Sequence, residues 1–201
     1  MGDDAVEVVG ERFSGVDWAL EELTGARYTD CVFLDADLSE ARLTGCVFTR
    51  CEFSNVKFNA AELHRCAVLA STVRRSSFFD ARFDDCKLTG TEFLDCALRP
   101  LTVTGGDWGF VSLRGANLTG VRLAGLRLRE ADLCGADLSK VDLRGADLSS
   151  ARLQESVLRG ADLRGADLDG VDLSVVDITG ARIDLQQAAQ FATAHGATVE
   201  A

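Results

Sequence analysis

The 201-residue chain holds one proline, one methionine and two histidines, and it has no long uninterrupted apolar run. Each scarcity closes off a class of protein. No stretch approaches the roughly 18 apolar residues that a membrane-spanning helix needs. The acidic opening Met1–Gly10 lacks the basic flank and apolar core of a secretory signal, and cysteines placed as buried fillers rather than crosslinks make a reducing cytoplasm the expected compartment. The single proline, Pro100, lies inside the repeat described below and marks no domain boundary. His64 and Cys66 are close in sequence but fall on opposite sides of a two-residue alternation, so they cannot share a metal. No serine elbow, phosphate loop or zinc-ligand spacing is present. The expectation is a protein without catalytic residues, metal or cofactor.

Basic charge is short as well. Twenty-one Lys and Arg face 32 Asp and Glu, a net charge of −11, which disfavours direct nucleic-acid binding. It favours a partner whose surface is basic, including one that normally holds nucleic acid. The imbalance is uneven, because residues 1–40 carry eleven acids against Arg12 and Arg27 alone.

What the chain has in abundance is a period. Every fifth residue from Phe13 through Trp18, Leu23 and Tyr28 to Ile183 is apolar, 35 positions without a slip of register. Chance would give that series at below about 10⁻¹¹, so the chain is a repeat array. A period of five fits neither an amphipathic helix nor a simple alternating strand. Taking the large apolar residue as a centre, the residue two before it is small in 31 of 35 repeats, the exceptions being Glu11, Glu21, Leu101 and Leu126. Two inward side chains separated by one outward residue is strand-like alternation. The two polar residues that follow, often ending in Gly, turn a corner. Short sides joined by corners coil into a solenoid, and each unit must stack on its neighbours to bury its face.

Six of the seven cysteines (Cys31, Cys46, Cys51, Cys66, Cys86, Cys96) occupy the small slot, where they read as buried free thiols rather than crosslinks. Cys134 follows a centre and faces outward. Eight of the first seventeen centres are Phe, whereas all thirteen from Leu113 to Leu173 are Leu. The change falls at Arg99–Trp108, where Leu101 overfills a small slot and Gly106 leaves one vacant beside Trp108, suggesting volume compensation. Pro100 sits at a corner, where the loss of an amide donor is expected to do least harm. A bend or dislocation near residues 99–110 is predicted.

After Ile183 the period stops and residues 184–201 form a distinct end. Asp184 with Gln187 makes a capping box, Gly196 a terminator, and Leu185, Ala188, Ala189 and Ala192 one apolar stripe with Phe191 at its edge. Such a helix would cover the open end of a β-solenoid. Residues 1–10 form an acidic N-terminal segment and 11–183 the array.

The triplets Ala36-Asp37-Leu38, Ala131-Asp132-Leu133, Ala146-Asp147-Leu148 and Ala161-Asp162-Leu163 match the A(D/N)LXX signature, so the chain resembles pentapeptide-repeat proteins over about residues 11–183. That resemblance implies an all-β fold, a right-handed quadrilateral parallel β-helix with four pentapeptides per coil, here followed by a short α-helix. Arg99-Pro100-Leu101-Thr102, Arg127-Leu128-Arg129-Glu130 and the segment from Gln187-Ala188 through Ala194-His195-Gly196 are similar to the MfpA-like fluoroquinolone-resistance branch of that family, and more distantly to the Qnr proteins. The resemblance implies a non-enzymatic homodimer joined at its C-terminal end that binds DNA gyrase as an acidic DNA mimic and lessens quinolone inhibition. The implied dimer interface is Leu185, Ala188, Ala189, Phe191, Ala192 and His195.

The implied gyrase-facing acids are Asp132, Asp137, Asp142, Asp147, Asp162, Asp167, Asp172 and Asp177, each just before a centre. A structural reading competes with that one, since an Asp there can hydrogen-bond its own corner. The denser charge sits at the N-terminal tip, in Asp17, Glu21, Glu22, Asp30, Asp35, Asp37 and Glu40. Other functions remain open at this stage: self-immunity against a gyrase-targeting natural product, or a scaffolding repeat protein with no topoisomerase partner.

Overall fold

Stacking of the five-residue units sets the architecture. The computed structural model describes residues 6–200, and residues 1–5 of the acidic N-terminal segment lie outside that range. Three-residue strands pair in parallel with the residues twenty further on, as in Glu7↔Arg27, Arg12↔Val32 and Glu22↔Arg42. These pairs build three sheets, and a fourth column is joined by the bridges Asp17↔Asp37, Asp37↔Lys57 and Lys57↔Ser77. Twenty residues per coil and four columns make a quadrilateral parallel β-helix. Regular strands end at Thr104, and beyond it the same offset continues as single bridges to Asp162↔Arg182.

The four faces are named here by their centres: face 1 holds Val8, Tyr28 and every twentieth residue after, face 2 Phe13 and Phe33, face 3 Trp18 and Leu38, face 4 Leu23 and Leu43. Every centre from Tyr28 to Leu173 is buried, while Val8, Phe13, Trp18, Leu23, Ile178 and Ile183 at the ends are partly covered. In the N-terminal half the aromatic centres stack along the axis. Phe13, Phe33 and Phe53 lie 4.9 and 4.8 Å apart with rings within 10° of parallel, and Phe58 and Phe78 lie 4.8 Å apart. Coil spacing thus equals ring-stacking distance, which turns a column of Phe into a continuous apolar axis.

All seven cysteines are free thiols, and of the six in small slots five are buried while Cys96, contrary to expectation, is partly exposed beside the Pro100 coil. In the small slots their S–H groups donate to backbone carbonyls 23 residues earlier, as Cys66 Sγ does to Leu43 O at 3.3 Å and Cys86 Sγ to Leu63 O at 3.2 Å. Burial pushes the Cys51 thiol up to about 11.

Two expectations near the Phe-to-Leu change need correction. Corner amides do work in this fold, because each donates to the coil above: Asp80 N to Pro100 O at 2.8 Å and Gly120 N to Ser139 O at 2.9 Å. Pro100 therefore removes a real rung, and a corner is not a harmless place for it. Gly106, in turn, is not a volume compensation for Trp108. It has φ +104°, and its Cα faces the backbone of Cys86 one coil below, with the Cys86 N only 3.0 Å from where a Cβ would stand.

At the C-terminal end a helix, α1, runs from Leu185 to Ala194. Asp184 Oδ1 accepts from Gln187 N and Gln187 Oε1 accepts from Asp184 N, both at 3.0 Å, completing the capping box. Gly196, at φ +85°, ends it.

Candidate interaction surfaces

The eight aspartates before centres share one local role. An Oδ1 oxygen accepts from the amide two residues on at Cys134, Ser139, Arg144, Ser149, Asp169, Ser174 and Thr179, at 2.9–3.2 Å, and more weakly at Arg164, at 3.4 Å. The carboxylate closes its own corner, which is why the repeat selects Asp or Asn there.

Coiling then scatters the eight around the rod. Asp147 and Asp167 lie on face 1, Asp132 and Asp172 on face 2, Asp137 and Asp177 on face 3, Asp142 and Asp162 on face 4. The structure does not bring them onto a common surface. Half also carry cations: Arg144 binds Asp142 at 2.7 Å, Arg164 binds Asp162 at 2.6 Å, Arg159 binds Asp177 at 2.7 Å, and Arg114 and Arg152 both bind Asp132. The guanidinium of Arg164, together with its amide, holds Asp162 down to about 2. Asp177 is likewise held to about 2, first by Thr179 and then by Arg159. Asp162 and Asp177 are therefore charged throughout the physiological range.

The tip acids are partly neutralised too. Asp30 pairs with Arg50 at 2.7 Å, Asp37 with Lys57 at 3.0 Å and Glu22 with Arg42 at 3.6 Å. Among the described residues no salt bridge involves Asp17, Glu21, Asp35 or Glu40, so these carry uncompensated charge outward.

The helix stripe expected as a dimer interface splits into two faces. Phe191 is buried against the last coil, and Gln187 is buried beside it, its amide donating to the carbonyls of Leu163 and Ala166 at 2.5 and 2.9 Å. Asp184 Oδ2 accepts from Gly165 N at 2.9 Å, so cap and helix are stapled to the rod. Phe191 thus belongs to the intrachain cap and is not a free interface residue. Leu185 is 90% exposed, Ala188 is exposed, and Ala189 and Ala192 are partly covered. His195, also exposed, has Nδ1 2.9 Å from Phe191 O. Gln187 was missed as an anchor, although its place one turn before Phe191 (i, i+4) was legible.

Of the outward apolar residues, Phe79 and Phe110 are more than half exposed and stand on different faces. His64 Nδ1 lies 2.6 Å from Asp84 Oδ2 on the open surface of face 4. Among the described residues no cluster of His, Cys, Asp and Glu could hold a metal ion, and no helix is long and apolar enough to cross a membrane.

Three comparisons bear on this architecture. No curated protein matches the chain by sequence. Among solved structures it is similar to trypsin-treated QnrB1, a plasmid-mediated fluoroquinolone resistance protein, with a TM-score of 0.86 at 24% identity over 98% of both chains. Full-length QnrB1 aligns with a TM-score of 0.80 at 22% identity, over 96% of this chain and 98% of that one. HetL, a pentapeptide repeat protein involved in heterocyst differentiation regulation from the cyanobacterium Nostoc sp., aligns with a TM-score of 0.57 at 20% identity, over 88% and 86%. These likenesses bear on the fold. The family model described as pentapeptide repeats matches residues 22–55, 31–67, 112–149 and 146–183. Covering more than half of the chain, that match makes this protein a member of the pentapeptide-repeat family.

Proposed function

We propose that this protein is a non-enzymatic binder of DNA gyrase that protects the enzyme from fluoroquinolones, working in the cytoplasm as an acidic, DNA-like rod. The observation that carries the reading is the full-length likeness to QnrB1, whose coil path this chain follows from end to end. The net charge of −11 supports it, since a gyrase surface that handles DNA is basic and attracts such a rod. The scatter of the eight aspartates over four faces means that any one docking face engages two of them, and the unpaired tip acids add to the attraction. A homodimer joined through the outer stripe of α1 belongs to the same reading, with Leu185 as its apolar anchor.

Pulldown and supercoiling assays with gyrase of the source organism, with and without ciprofloxacin, test it. Binding together with restored supercoiling in the drug is expected, and neither binding nor protection would discard the reading. Charge reversal at Asp17, Glu21 and Glu40 compared with reversal at Asp147 and Asp167 separates a tip contact from a lateral one.

A further inference from the structure

Among the described residues the ladder between coils is interrupted in two places: on face 2 between residues 151–156 and 172–177, where the chain makes the 3-10 turn Leu173–Val175, and more extensively in the coil of Pro100. Between residues 94–105 and 113–124, among the described residues, no backbone hydrogen bond of ordinary geometry joins the two coils, and only the weak pairing of Thr102 with Arg122 remains. The equivalent bonds are present one coil further on, at Leu118 N to Asp137 O, Gly120 N to Ser139 O, Leu123 N to Asp142 O and Gly125 N to Arg144 O, all 2.8–2.9 Å. They are absent for Leu98, Pro100, Val103 and Gly105. Across the same pair of coils faces 1 and 2 keep theirs: Leu88 N to Asp107 O and Phe93 N to Ser112 O at 2.9 Å, and Gly90 N to Gly109 O at 3.1 Å. The opening is therefore a wedge, widest at the Pro100 corner between faces 3 and 4 and closed at the opposite corner.

The sequence builds that wedge. Pro100 has no amide to donate. Leu101 fills a slot that Ala41, Ala61 and Ala81 fill in the coils below, and it packs under Val121, so extra side-chain volume stands between the coils. Across the gap one side-chain bond remains on face 3, Arg99 Nη1 to Asn117 Oδ1 at 2.8 Å.

We propose that this protein is an articulated rod: two half-solenoids that rock about the face 1–face 2 corner near Gly90, opening and closing at Pro100, with Arg99–Asn117 as a side-chain strap. The N-terminal half is laddered throughout and the C-terminal half as far as the coil of residues 146–165, so those stretches do not bend at comparable cost, whereas the wedge, open over faces 3 and 4, has few hydrogen bonds to break. The articulation would let a stiff rod adjust its curvature to a partner, and it exists whether or not that partner is gyrase.

Spin-label distance measurements on the full chain in a Cys96→Ser, Cys134→Ser background, which removes the two partly exposed native thiols, test the motion. A face 3 pair, Asn59→Cys with Arg159→Cys, spans the open side, and a face 1 pair, Thr49→Cys with Ser149→Cys, spans the hinged side over the same five coils. The face 3 distribution is expected to be at least twice as broad as that of face 1, and to narrow when Leu101→Ala removes the wedge. Equal widths would overturn the proposal, as would a face 3 width that Leu101→Ala leaves unchanged. Amide exchange on the unmodified chain is a check free of variants. Leu98, Val103 and Gly105 should exchange at least about tenfold faster than Leu118, Leu123 and Gly125, and rates within about threefold of each other would count against it.

Discussion

Gly106 rests directly on the backbone of Cys86: a Cβ at Gly106 would lie inside the contact radius of the Cys86 carbonyl and within 3.2 Å of its carbon. The neighbour is main chain in a closed coil and cannot move aside. Gly106→Ala is therefore expected to cost roughly 2–5 kcal/mol, combining backbone strain at positive φ with overpacking. Gly115→Ala, at φ +64° with open space around it, should cost only about 1–2 kcal/mol. Denaturant melts of the pair decide whether close approach is the cause, and equal losses would show that it is not.

Leu143 is fully buried in the face 4 column. Leu143→Ala should destabilise by about 2–5 kcal/mol through lost transfer energy and a cavity that a laddered coil cannot collapse around. A near-neutral midpoint shift in chemical denaturation would contradict the inward assignment.

The two faces of α1 predict opposite phenotypes. Leu185→Asp should leave the melting temperature nearly unchanged and halve the mass seen by light scattering. Phe191→Ala should lower stability by about 3–5 kcal/mol, because it uncovers the last coil. A Leu185→Asp protein of unchanged mass would remove the helix from the proposed dimer.

Acid should loosen the rod at its corners. Asp37, Asp162 and Asp177 are each held to about 2, below the ordinary 3.8. The chief causes are Ser39 and Lys57 for Asp37, Arg164 for Asp162, and Thr179 and Arg159 for Asp177. A depressed folded-state pKa gives stability that is full above the unfolded value and lost as protons bind. The melting temperature should thus hold from pH 7 to about 4 and fall between about 4 and 2. Asp162→Asn should shrink that fall, and an identical profile would mean that the ion pairs of Asp162 contribute nothing.

Thiol labelling of the native protein should modify Cys134 first. Its Sγ is partly exposed beside Gln154, whereas Cys31, Cys46, Cys51, Cys66 and Cys86 are within 2% of full burial. Mass spectrometry after brief alkylation reads the order, and early loss of Cys46 or Cys66 would refute a closed core.

The period of five alone determined which side chains face inward, because inward and outward roles are set within each unit by alternation and a corner. Leu143, Phe33 and the cysteine slots were legible for that reason, and so was the Asp184–Gln187 capping box, which spans four residues. The tertiary structure decided everything that depends on the phase of coil closure. Only the twenty-residue offset shows that Asp142 and Asp147 point from different faces, that Pro100 deletes a rung to Thr119, and that Gly106 meets Cys86. It also decided that Phe191 turns into the rod while Leu185 turns away, since a helical stripe does not say which of its edges finds the last coil. Those contacts join residues about twenty or more apart in the chain, and no local pattern encodes the space between two stacked coils.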